Sequence, residues 1–237
     1  VGEQHIEYFK TLNNIIHTKM EILKSPKLVH GFVHVSVPML EYDSITKYPN
    51  NLNITKSDLN GIWFDLNIDG KTEHFHAPIL GKFNAINLTA VILTAKTLGM
   101  SIDEIKMALT RMKQVENRLH LSKAGGKLIL DDSYNGNLEG MLEAVQIAST
   151  YEGRKVIITP GLVESTIEAN EEFAHAIDAV FDVIIISGDL NAKLFKKVIR
   201  KHKAIFLEKK SEMQNMLLKE TQKGDIVLFA NDAPNFI

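Results

Sequence analysis

Apolar residues recur at threes and fours over 5–23, with Ile6, Phe9, Leu12, Ile15, Ile16, Met20 and Leu23 on one stripe. This spacing predicts one amphipathic helix, ended by Ser25-Pro26. Residues 28–37 alternate Val29, Phe32, Val33 and Val35 with His30, His34 and Ser36, which reads as a strand. The runs 61–68 and 73–79 flank Asp69-Gly70, a hairpin signal. A long apolar helix is expected over 84–98, closed by Gly99. Ser101 with Glu104 is the capping box of another that reaches about Met112.

Beyond that point the pattern changes. Runs 118–122 and 127–130 read as strands around Ala124-Gly125-Gly126, and strand and helix patterns then alternate. Strands are expected at 155–159, 183–187, 204–207 and 226–230, with helices over 138–149, 167–180, 192–201 and 212–221. Continuous apolar strands joined by crossover helices define an α/β fold with a mostly parallel sheet covered on both faces. A boundary falls near 113–115, giving units 1–113 and 114–237. No internal repeat or low-complexity segment is present.

Composition narrows the choice of chemistry. With 45% apolar and 24% charged residues, the 237-residue chain reads as a soluble globular protein that buries real cores. A net charge of −2, from 27 basic and 29 acidic residues, argues against nucleic acid as partner. No apolar run approaches the ~20 residues of a membrane helix and no signal segment is recognisable, so a cytoplasmic location with no membrane partner is expected. The absence of cysteine excludes disulfides and thiolate chemistry and fits a reducing compartment. The start on Val1-Gly2 reads as a piece of a longer protein.

Gly70-Lys71-Thr72 is not a phosphate loop. That pattern needs a glycine five positions earlier, where Asp65 stands, and a helix after it rather than a second strand. His74 and His76, like His30 and His34, lack a third ligand nearby and read as solvated strand faces. Asp131-Asp132-Ser133-Tyr134-Asn135-Gly136-Asn137 differs in kind. It lies where a strand ends and a helix begins, the place where α/β sheets bind ligands, and it holds two carboxylates, a phenol and two amides. Read without other information, the same segment is equally an Asx-rich turn with a helix N-cap at Asn135 or Asn137.

This segment resembles the Asp-Asp-Ser-Tyr-Asn-Ala-Asn signature of the Mur ligases, in the form carried by the members that add D-alanyl-D-alanine. Three more segments follow that family's order: His5-Ile6-Glu7 with Lys19-Met20-Glu21-Ile22, 81–87, and Glu116-Asn117-Arg118-Leu119. The resemblance implies a three-domain ligase, of which this chain would be the C-terminal part of the central ATPase domain (1–113) followed by a C-terminal Rossmann-like domain (114–237). The implied reaction uses ATP and Mg²⁺ to phosphorylate the carboxylate of UDP-N-acetylmuramoyl-tripeptide, and the amine of D-alanyl-D-alanine then attacks the acyl phosphate.

The resemblance also assigns residues. It gives His5 to metal and Lys19 to a carbamate that bridges metals, a reading compatible with helical phase, since fourteen residues at ~3.6 per turn is close to four turns. Asn84 and Asn87 would meet adenine. Arg118 would reach the ATP phosphates, and Asp132 the ribose, with Tyr134 and Asn135 beside the nucleotide. Phe83 stands where the family has histidine. The segments 160–165 and 230–234 depart from the family's loops, so residues for the dipeptide do not carry over. Alternatives are another amide ligase of the superfamily and a nucleotide-binding piece without catalysis. The isolated chain, a monomer, is expected to be inactive, because it contains no phosphate loop.

Overall fold

A computed structural model describes residues 6–38, 44–134, 136–163 and 165–231. The chain opens with α1 (Ile6–Phe9), α2 (Leu12–Met20) and a 3₁₀ turn, Glu21–Lys24. The single helix expected over 5–23 is thus broken. Lys10 takes the left-handed φ of 67°, and Thr11 caps a new helix by accepting the Asn14 N–H at 3.2 Å. Strands β1 (Gly31–His34) and β2 (Ile45–Tyr48) pair in parallel.

Next comes an antiparallel sheet of β3 (Asn53–Asp58), β4 (Gly61–Ile68) and β5 (Lys71–Ala77), backed by α3 (Lys82–Thr97) and α4 (Ile102–Leu109). The predicted hairpin is present, with Asp69 and Gly70 both left-handed at φ 51° and 80°. The capping box forms as read, Ser101 Oγ accepting the Glu104 N–H while Glu104 accepts from Ser101. Alternation along β4 sends Ile62, Phe64, Leu66 and Ile68 inward onto Ala85, Leu88 and Ile92 of α3 and Ile105 and Leu109 of α4. The outer face takes the histidines. His74 Nδ1 lies 2.6 Å from Asp65 Oδ1, and His76 stacks on Trp63 at 4.3 Å. His30 and His34 bond the Thr46 and Ser36 hydroxyls.

The rest builds one sheet from β6 (His120–Ala124), β7 (Lys127–Asp132), β8 (Lys155–Thr159), β9 (Val183–Ser187), β10 (Lys203–Leu207) and β11 (Ile226–Ala230). Its helices are α5 (Leu138–Ser149), α6 (Ile167–Val180), α7 (Ala192–Val198) and α8 (Met213–Glu220). The strand order is β10-β9-β8-β11-β7-β6, parallel except for the β6–β7 hairpin. This is the mostly parallel α/β sheet that the alternation predicted. One face packs Met141, Ala144, Phe173, Ile177 and Phe195, and the other packs Val156, Ile158, Val227 and Phe229 under Met213 of α8. Helix α7 stops short of its predicted end because Asp178 draws the Arg200, Lys201 and His202 N–H groups to its carboxylate. Among the described residues no helix is long and apolar enough to cross a membrane.

Candidate functional site

The carboxyl ends of β7, β8 and β11 converge, as the parallel order requires, on loops that include Gly136, Asn137, Gly161 and Asn231. At the end of β7 the two carboxylates part company. Asp131 is buried, accepts the Ser133 N–H at 3.1 Å and lies opposite His120 in the hairpin. Half-buried Asp132 accepts the Leu119 N–H at 3.0 Å. Desolvation pushes the Asp132 carboxyl up to about 6, with a smaller push from Asp131, against the opposing pull of the Leu119 N–H and of the Arg118 guanidinium. An acid kept part-neutral by burial gains from any partner that donates hydrogen bonds to it or brings positive charge.

Arg118 is exposed and sits between two residues in left-handed backbone, Asn117 at φ 61° and Leu119 at φ 50°. A leucine in that region costs of order 1–2 kcal/mol, held here by burial of its side chain and by the bond to Asp132. Asn117 in turn accepts the Tyr134 N–H at 3.1 Å through its carbonyl and the Ser133 hydroxyl at 3.4 Å through its side chain. The Arg118 guanidinium consequently lies over the exposed Tyr134 ring, 4.6 Å from its centre. In the open this contact is worth about 0.5–1 kcal/mol, weak enough to exchange for an anion.

Asn231 closes the floor of the site. Its Oδ1 accepts the Gly136 N–H and its Nδ2 donates to Gly161 O, each at 3.0 Å, while its own N–H bonds Asp132 O. Asn191 Nδ2 donates to Pro160 O and Leu162 O, and Asn170 Oδ1 accepts the Leu162 N–H at 2.8 Å. The side chains of Asn170, Asn191 and Asn231 thus pin the loop after β8. The N-cap of α5 is Asn137, whose side chain accepts from Gly140 N.

The structure brings Arg118, Asp132 and Tyr134 together. Asn84 and Asn87 stand at the start of α3, but they are not equivalent. Asn84 spends its amide donor on Leu80 O at 2.6 Å, and Asn87 is exposed. Lys19 is exposed near the end of α2, and the break at Lys10 removes the continuous helical phase that would have aligned it with His5. His5, Asn135, Glu164 and 232–234 lie outside the described residues. Among the described residues no three His, Cys, Asp or Glu side chains converge, and an unmodified lysine is a cation. The described residues therefore do not make up a Mg²⁺ site. Sequence reading missed Asn117, Asn170, Asn191 and Asn231. Only Asn231 carried a signal, as the residue just past β11; Asn117, Asn170 and Asn191 lie away from strand ends.

Comparison with known proteins gives the class first. The six-stranded sheet and what precedes it superpose on the MurF ligase of Thermotoga maritima solved in complex with ADP, with a TM-score of 0.73 at 21% identity over 97% of this chain and 56% of that one. The fold is that of the Mur ligases. Among curated proteins, the chain is similar to the UDP-N-acetylmuramoyl-tripeptide–D-alanyl-D-alanine ligase of Bacillus subtilis strain 168, 24% identical over 250 residues covering 97% of this chain and 54% of that protein. The enzyme of the same name from Escherichia coli K12 is 30% identical over 126 residues, 53% of this chain and 27% of that protein. No family model matches. These relatives bear out the resemblance read from the sequence, and the chain spans about half the length of the Bacillus enzyme.

Proposed function

We propose that this chain forms the C-terminal part of the nucleotide site of an ATP-dependent ligase, one that adds D-alanyl-D-alanine to UDP-N-acetylmuramoyl-tripeptide during synthesis of the peptidoglycan precursor. The observation that carries this reading is the placement of Asp132, Arg118 and Tyr134 together at the end of β7. Asp132 accepts hydrogen bonds from ribose hydroxyls. Arg118 leaves the Tyr134 ring for phosphate oxygens, which its planar fork fits. Tyr134 and Asn135 flank the nucleotide, and Asn87, with the Oδ1 left to Asn84, reads the adenine edge.

A carboxylate is no electrophile, so the substrate carboxylate first takes the γ-phosphoryl group from ATP. The dipeptide amine attacks the acyl phosphate carbon, and phosphate leaves. Residues 1–113 act as part of the ATPase domain and 114–237 as the domain that closes on it. His5 and a carbamate on Lys19 complete the site in the whole protein, which works as a cytoplasmic monomer. Alone, the chain has no phosphate-loop sequence around the β and γ phosphates and turns over nothing.

Release of ADP dependent on both substrates tests the reading. The whole protein should release it, lose it on Lys19→Ala and recover it in part with short carboxylic acids, while this chain alone should release none. Turnover by the chain alone overturns the division of labour. ATP binding without turnover in the whole protein favours a non-catalytic nucleotide module, and preference for another amine favours a different ligase of the superfamily.

A further inference from the structure

Two side chains outside every segment that resembles the family join the antiparallel unit to the six-stranded sheet. We propose that Gln114 and Glu143 are positioning residues, a clasp that keeps the turn bearing Asn84 in register with the strand end bearing Asp132. Gln114 is half-buried between α4 and β6. Its Nε2 donates to Pro78 O, just past β5, at 3.1 Å, and its Oε1 accepts the Leu121 N–H of β6 at 2.6 Å. One amide thus spends its donor on one sheet and its acceptor on the other. Glu143, on α5, accepts the Lys82 N–H at 3.0 Å. That N–H belongs to the first turn of α3, where no carbonyl of the same helix can reach it and where the helix dipole favours an anion.

Between these two bonds the chain is held by apolar contact. Leu80, 1% exposed, sits in the core of the six-stranded sheet with Leu119, Leu130 and Met141. Gly81, at φ 92°, lies so close that a methyl group there would come within 3.0 Å of Leu119 Cδ2. Leu119 is the residue whose N–H Asp132 holds. The line runs from the Asn84 amide to Leu80 O, through the apolar core that holds both Leu80 and Leu119, and from the Leu119 N–H to Asp132. Gln114 and Glu143 bracket that line at 78 and 82. The nucleotide part of this inference rests on the proposed function, whereas the clasp itself rests on geometry alone.

The chain has no cysteine, so spin labels at Lys71→Cys, on the β4–β5 hairpin, and Glu171→Cys, on α6, report one distance between the units. The parent should give one narrow distribution. Gln114→Met with Glu143→Ala, which removes both bonds, should broaden or shift it, and Glu143→Gln, which keeps an accepting oxygen, should not. Circular dichroism checks that the double variant folds, and should it not, Glu143→Ala alone carries the test. An unchanged distribution overturns the clasp. In the whole protein the double variant should raise the KM for ATP about three- to tenfold, more than it lowers kcat. A broadened distance with unchanged KM overturns the positioning role. A parent that uses no ATP overturns the proposed function instead and leaves the clasp to be judged by the distance.

Discussion

Asp132, the proposed partner of the ribose, costs the fold stability where it sits. Its carboxyl sits at about 6 in the fold, above the ordinary 3.8, so the folded chain binds the proton more tightly than the unfolded chain does. The stability this gives is complete below about pH 4 and is lost as pH rises through 6, a loss of about 1–2 kcal/mol at pH 7 once partial exposure is allowed for. Asp132→Asn keeps an oxygen for the Leu119 N–H and carries no charge. It should raise the urea midpoint at pH 7, and the gain should vanish at pH 4. The same change should raise the KM for ATP in the whole protein and spare tripeptide binding. No gain in the midpoint at pH 7 would show that burial is not what lifts the carboxyl. The sequence made Asp132 visible because 131–137 crowds so much chemistry into one strand end. It could not show Asn231, whose bond to Gly136 joins residues 95 apart and depends on the sheet being assembled.

At the scale of elements, sequence reading succeeded where local signals agreed and failed where they competed. The Ser101 box and the Asp69-Gly70 hairpin were legible because cap, turn and apolar period all point one way. Over 5–23 the apolar stripe argued for one continuous helix, but in the structure Thr11 caps a new helix and breaks it. Strands β2 and β3 were missed because their polar sequences, such as the Asn-Ile-Thr-Lys-Ser-Asp of β3, carry little apolar alternation. Helix α3 offers a sharp test of how elements meet. Its N-cap, Gly81, sits at φ 92°, which strains any side chain, and a Cβ there would also press on the buried Leu119 at 3.0 Å. Gly81→Ala should destabilise the chain by about 2 kcal/mol or more and widen the label distance between the units. A variant with the parent's melting temperature and distance would mean that the close approach imposes no constraint.

Over the whole molecule, stability follows from how each sheet is covered. The six-stranded sheet is packed on both faces, the three-stranded sheet on one, and β1–β2 is a two-stranded parallel pair that is only half-buried, against α3. Hydrogen exchange should therefore be slowest at β8, β9 and β11, intermediate at β4, and fastest at β1 and β2. Equal protection across all three sheets would contradict this order. The strand–helix alternation made the parallel sheet legible, but the strand order was not, because sequence carries no mark of which neighbour a strand takes. That order matters while the chain is being made. Strand β11 lies between β7 and β8, pairing Val227 with Ile129 on one side and with Val156 on the other. Synthesis runs from the N-terminus, so until residue 230 emerges the sheet is two pieces with an apolar slot between them. A nascent chain halted before 226 would offer that slot, and two unpaired edges, to any passing strand.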